Sequence, residues 1–113
     1  MDDTRVKVSS GNVYEDFGYP DAEEMQAKSK LARQILAIIQ ERGLTQRQAA
    51  AILGTDQPKV SLLSRGRLRG FSIGKLFEFL NRLDRDVDVT IRPKRPDQPQ
   101  GRTIVINEEA KTA

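Results

Sequence analysis

Residues 45–66, TQRQAAAILGTDQPKVSLLSRG, constrain the fold more than any other stretch of the chain. They have the grammar of a helix, a tight turn and a second helix. Thr45 is placed to N-cap the first helix, and Gln48 three residues on completes a capping box. Ala49, Ala50, Ile52 and Leu53 form a packed, helix-favouring run. Gly54 closes it, where left-handed backbone is cheapest. Asp56 is placed to cap the second helix, with Pro58 tolerated in its first turn. Val60 and Leu63 are three apart, so they share one face and can pack on Ala50 and Leu53. The small side chain of Ala50 lets two helices cross closely over a short turn. Gly66 ends the second helix.

The flanks supply the rest of a helical core. Asp21 is a good N-cap with Glu24 completing its box, and a helix is predicted from there to about Arg42. Leu31, Ile35, Ile38 and Ile39 recur at helical spacing as its buried face. Leu36 lies off that stripe, so the helix is covered from two sides. Lys28, Lys30 and Arg33 read as solvated, and Gly43 is the stop. After a glycine-punctuated basic loop anchored by Leu68 and Phe71, Ser72 caps a further helix. Phe71 is placed to staple against Leu76. The apolar stripe of that helix is Ile73, Leu76, Phe77, Leu80 and Leu83. Beyond Leu83 the period becomes two. Residues 86–92 and 102–106 read as strands on either side of a proline-rich loop, 93–101. A single hairpin is marginal without cover, so it would pack on the helices or pair with a second copy.

The expected fold is therefore mainly α: a four-helix domain with a short C-terminal β-strand pair. The chain divides into an N-terminal arm or interaction segment (1–20), the helical domain (21–84), C-terminal strands with a possible dimerisation role (85–107) and a tail (108–113). Residues 4–8 alternate weakly, as a short strand would. Residues 13–20 hold Tyr14, Phe17 and Tyr19, three of the six aromatics in the chain. They serve either to cap the core or to meet a partner protein, and the two roles are compatible.

Composition narrows the function. Histidine and cysteine are both absent, which removes the usual general base, nucleophile pairings, thiolate or imidazole metal sites and disulfides. No catalytic residue, metal or cofactor is expected. The helical core offers only Glu41, Asp56 and Glu78 as carboxylates, at no catalytic spacing. There is no apolar run long enough to span a membrane, and a cytoplasmic protein is expected. The net charge of +3 conceals a segregation: residues 1–24 carry seven acids and two bases, and residues 25–83 carry eleven bases and three acids. Lys59, Arg65, Arg67 and Arg69 follow one another with no acid between them. A basic cluster beside a short exposed helix suits phosphate binding.

Gln46, Ala50, Gly54, Gln57, Val60, Leu63 and Gly66 together resemble the helix-turn-helix of the lambda-repressor/Cro-like (XRE) regulators. Residues 13–92 are similar to one subgroup, the small antitoxins of HigA type, which partner RelE-like toxins. In that subgroup a segment like residues 11–21 precedes the first helix, and one like residues 57–61 opens the recognition helix. The resemblance implies a four-helix lambda-repressor-like domain and a homodimer on a near-palindromic, double-stranded operator. It also implies association with the nucleoid and a possible toxin partner.

The groove dimensions of B-DNA then assign roles. The second helix of the motif enters the major groove while the first crosses the backbone. Gln57 is placed for a base or adjacent phosphate, since a Gln amide can bond adenine in bidentate fashion. Lys59 reaches a base or a phosphate, and Ser61 a base edge. Pro58 and Leu62 can meet thymine methyls, although Leu62 stands where the family often has a polar residue. Gln46 lies at a helix N-terminus suited to phosphate, and Thr55 lies in the turn. Arg65, Arg67 and Arg69 supply salt-sensitive affinity. Two readings compete with the repressor that is also an antitoxin: a repressor with no toxin, and a protein-interaction module that does not bind DNA. An RNA-binding role is disfavoured because no aromatics interleave the basic cluster.

Overall fold

The computed structural model describes residues 22–108. The Asp21 cap and its box, the aromatic segment at 13–20, the weak alternation at 4–8 and the last five residues lie outside that range. Four helices follow in order: α1 (Ala22–Glu41), α2 (Gln46–Leu53), α3 (Gln57–Ser64) and α4 (Ile73–Arg82). Each short helix starts where a side chain can take an orphan amide. The Thr45 hydroxyl accepts from the Gln48 amide at 3.0 Å, and the Thr45 amide donates to Gln48 Oε1 at 2.9 Å. This is the reciprocal box the sequence predicts. Asp56 accepts from the Lys59 amide at 2.9 Å, and Ser72 from the Lys75 amide at 3.0 Å.

The core sits where the apolar stripes of all four helices meet. Ile35 and Ile38 of α1, Leu53 of α2, Val60 and Leu63 of α3, and Leu76 of α4 are essentially inaccessible to solvent. Helix α1 packs on α3 and α4, and α2 on α3 and α4. Leu68 and Phe71 are buried and anchor the loop between α3 and α4, and the Phe71 ring meets Phe79 edge-on, centroids 6.2 Å apart. Phe79 is buried although the predicted stripe omitted it, while Ile73 and Phe77 are only half-buried. Positions 76, 79, 80 and 83 follow the i, i+3, i+4, i+7 rule of an inward face. The Arg42 guanidinium closes the domain by donating to the Leu83 carbonyl at 2.8 Å and pairing with Asp84 at 3.3 Å.

Two expectations are corrected. Lys28 is buried rather than solvated, with its ammonium 3.5 Å from Glu24 one turn earlier. A lysine can lay its methylenes against apolar surface while its head keeps an ion partner. The C-terminal strand pair does not form: among the described residues no segment is a β-strand. The second expected strand takes a helix as its neighbour instead. Arg102 pairs with Glu23 at 2.7 Å, Asn107 donates to Gln34, and Val105 packs on the core. Eleven helical residues rise roughly 16 Å, about what five extended residues cover, so residues 102–107 run stretched along α1. The segment at 86–92 is left without a ladder partner. No described helix is long and apolar enough to cross a membrane.

Candidate nucleic-acid interface

The turn between α2 and α3 sets the geometry of the exposed face. Gly54 adopts φ +73°, and the Thr55 amide donates back to the Ala50 carbonyl at 2.9 Å. A β-carbon on Gly54 would stand 3.1 Å from the Arg82 guanidinium of α4. The turn is therefore covered on one side by α4, and α3 is held with Val60 and Leu63 inward.

The first residue of α3 then meets the first residue of α2. Gln57 Nε2 donates to Gln46 Oε1 at 2.7 Å. Gln46 Nε2 donates to Ser64 Oγ at 3.3 Å, and Ser64 Oγ donates to the Ser61 carbonyl at 2.9 Å. The direction of this relay follows from its last member. A backbone carbonyl only accepts, so the Ser64 hydroxyl spends its proton there and must accept from Gln46. The Gln46 oxygen is thereby turned to Gln57, which must present its amide nitrogen. One N–H and the carbonyl oxygen of Gln57 remain, both exposed. A donor beside an acceptor is the pair that complements N7 and N6 of adenine in the major groove.

The surroundings suit a polyanion. Among the described residues nothing accepts from the backbone amides of Gln46 and Arg47, the orphan donors of the first turn of α2. Such amides favour phosphate. Lys59, Arg65 and Arg67 are exposed and make no ion pair with a described residue. No internal pair has to break for them to meet a phosphate. Arg69 is exposed on the same loop. By contrast, Lys75 and Arg82 on α4 share Glu78 as an ion partner. The Lys75 ammonium, helped by Arg82, holds the Glu78 carboxyl below the usual carboxylate range.

The ten residues singled out in the sequence divide in three. Gln46, Gln57, Pro58 and Lys59 are exposed at the facing N-terminal ends of α2 and α3. Thr55, Ser61 and Leu62 are half-buried, and Leu62 packs against the core, so only part of its side chain faces outward. Arg65, Arg67 and Arg69 lie exposed beyond the C-terminus of α3. Sequence reasoning missed Ser64, the residue that orients the relay. Its position one turn after Ser61 is the signal that would have found it.

Comparison with known proteins agrees with this architecture. Residues 13–92 match a family described as a helix-turn-helix domain. A solved structure provisionally named an XRE-family transcriptional regulator is 45% identical, with a TM-score of 0.72. The match covers 78% of this chain and 99% of that one. No curated protein matches the chain.

Proposed function

Since the chain belongs to the helix-turn-helix family, in its XRE-type branch, we propose that it is a sequence-specific, DNA-binding transcriptional repressor. The observation that carries this reading is the Gln57–Gln46–Ser64 relay, set beside three exposed cations that make no ion pair with a described residue. In this reading α3 lies in the major groove and Gln57 reads adenine with its remaining donor and acceptor. Ser61, Pro58 and the exposed part of Leu62 meet neighbouring base edges or thymine methyls. Gln46 and the first amides of α2 hold a phosphate. Lys59, Arg65, Arg67 and Arg69 neutralise others, contributing affinity that falls with salt. No catalytic step, metal or cofactor takes part.

An eight-residue helix is roughly 12 Å long and reaches only a few base pairs. Useful specificity calls for two copies on two-fold related half-sites, about 34–36 Å apart or a multiple of that. The working species is then a homodimer on a near-palindromic operator of the nucleoid, in the cytoplasm. The same reading makes the protein the antitoxin of a toxin-antitoxin pair that represses its own operon. One observation supports that part. Residues 1–24 carry seven acids against two bases, a charge suited to a small basic RNA-cleaving toxin.

Selection of bound sequences from a random duplex pool at near-physiological salt tests the DNA reading. An inverted repeat with half-sites one helical turn or a multiple apart is the expected product. If no sequence enriches and binding to bulk DNA vanishes by roughly 0.2 M salt, the repressor reading fails. Deletion of residues 1–20 tests the antitoxin part. It should abolish neutralisation of a toxin encoded beside this gene while leaving operator binding intact. Equal neutralisation by the shortened chain would reject that role for the segment.

A further inference from the structure

We propose that Arg65 is a base-reading residue, placed to take a guanine in the major groove beside the adenine of Gln57. The inference rests on the DNA-binding reading above and moves Arg65 from the backbone cations to the reading face. Register comes first. With Gln57 set at zero and about 100° added per residue, the buried pair Val60 and Leu63 stands at about 300° and 240°, so the outward side is centred near about 90°. Ser61 falls at about 40° and Arg65 at about 80°, so Gln57, Ser61 and Arg65 form one i, i+4, i+8 row. Lys59 falls at about 200°, off that row. Gly66 adopts φ +74° and turns the chain off the helix, so Arg67 and Arg69 keep no helical register. Among these cations Arg65 alone shares the row of Gln57. Its side chain is also held. Arg65 Nε donates to the Ser61 carbonyl, one turn earlier, at 3.4 Å, which draws the guanidinium back toward Gln57. That carbonyl is the one that takes the Ser64 hydroxyl at 2.9 Å, so the arginine and the relay share an anchor. The N–H groups of the two terminal nitrogens make no hydrogen bond to a described residue. With Nε spent, the planar end-on pair that remains matches O6 and N7 of guanine. Ser61 stands roughly 6 Å from Gln57 along the helix. Bases stack about 3.4 Å apart, so the guanine lies within about two base pairs of the adenine.

Operator variants separate base reading from phosphate binding. The duplex obtained by selection should carry, in each half-site, a G·C pair within about two base pairs of the A·T pair whose preference Gln57→Ala removes. The full-length protein is then titrated at one fixed salt against that operator and against copies in which the G·C pair is replaced. The parent should discriminate against each replacement by roughly tenfold or more per half-site. Arg65→Ala should discriminate there by less than about twofold, while its preference at the A·T pair persists. Arg67→Ala is the comparison, and should weaken binding to all these duplexes by one common factor. The ratio between duplexes does not depend on the fraction of protein that is folded, so a variant of lower stability still gives the answer. If the operator lacks that G·C pair, the inference falls. It falls equally if Arg65→Ala loses the same factor on every duplex and keeps the G·C preference, because Arg65 is then a backbone cation, and the repressor reading stands. If no duplex is selected at all, the repressor reading falls and takes this inference with it.

Discussion

Ser64 fixes the sense of the relay to Gln57. In the proposed complex that amide would reach the groove already oriented, with less conformational freedom to lose. Gln57→Ala should remove the adenine preference at one position of each half-site, costing about 1–3 kcal/mol there. Gln46→Ala should erode the same preference, because the Gln57 amide is no longer held, and should lower affinity for bulk DNA by a smaller factor, that of its own phosphate contact. Competition binding against single-position operator variants checks both. Loss of bulk affinity equal to the loss of specific affinity would mean that Gln46 acts only through phosphate. Gly54 answers to a different constraint. Gly54→Ala puts a β-carbon on a left-handed residue and against Arg82. It should destabilise the fold by about 1–2 kcal/mol from backbone strain, plus the displacement of Arg82. Urea unfolding in an Arg82→Ala background should show a smaller loss, because only the strain remains.

Helices were far more legible from sequence than the extended segments, for a physical reason. A helix satisfies its own backbone, and its ends are written locally in Thr45 with Gln48, Asp56, Ser72 and the glycines at 43, 54 and 66. A strand needs a neighbour, and the alternation of residues 86–92 names an apolar face without saying what covers it. The same limit applies to residues 102–107, where Arg102 and Asn107 meet a helix 79 and 73 residues earlier. Within the site, the exposed ends of Gln46 and Gln57 followed from helix register. Their mutual hydrogen bond depends on how two helices cross, which spacing alone does not encode. Helix α4 carries its own acid sensitivity. The carboxyl of Glu78 is held low by Lys75 first and Arg82 second, so its contribution is present above the usual carboxylate range. It is lost as pH falls through the lowered value. Thermal melts of Glu78→Gln should lie slightly below those of the parent at neutral pH and converge with them in strong acid. Added salt should narrow the gap, since the group lies at the surface.

Charge governs the behaviour of the whole molecule on DNA. Residues 25–83 hold eleven bases against three acids, and Lys59, Arg65 and Arg67 around α3 are exposed and make no ion pair with a described residue. If Lys59 and Arg67 each neutralise one phosphate per subunit, replacing either by Ala removes two contacts from a dimer. The slope of log affinity against log salt should then become shallower by about 1.8. A titration from low to physiological salt measures this, and an unchanged slope would remove that residue from the contact surface. The clasp from Arg42 to the Leu83 carbonyl has a meaning in the time domain of synthesis. Its two ends are 41 residues apart in the chain, which at about 5–20 residues per second is an interval of roughly 2–8 s on the ribosome. Throughout that interval Ile35 and Ile38 of α1 have no α4 to cover them. The stretch that spells the motif is complete at Gly66, but the reading surface is not. A nascent chain halted before Leu83 would carry every residue of the interface without the Arg42 clasp that closes the domain behind it, and with an apolar helix face open to chaperones.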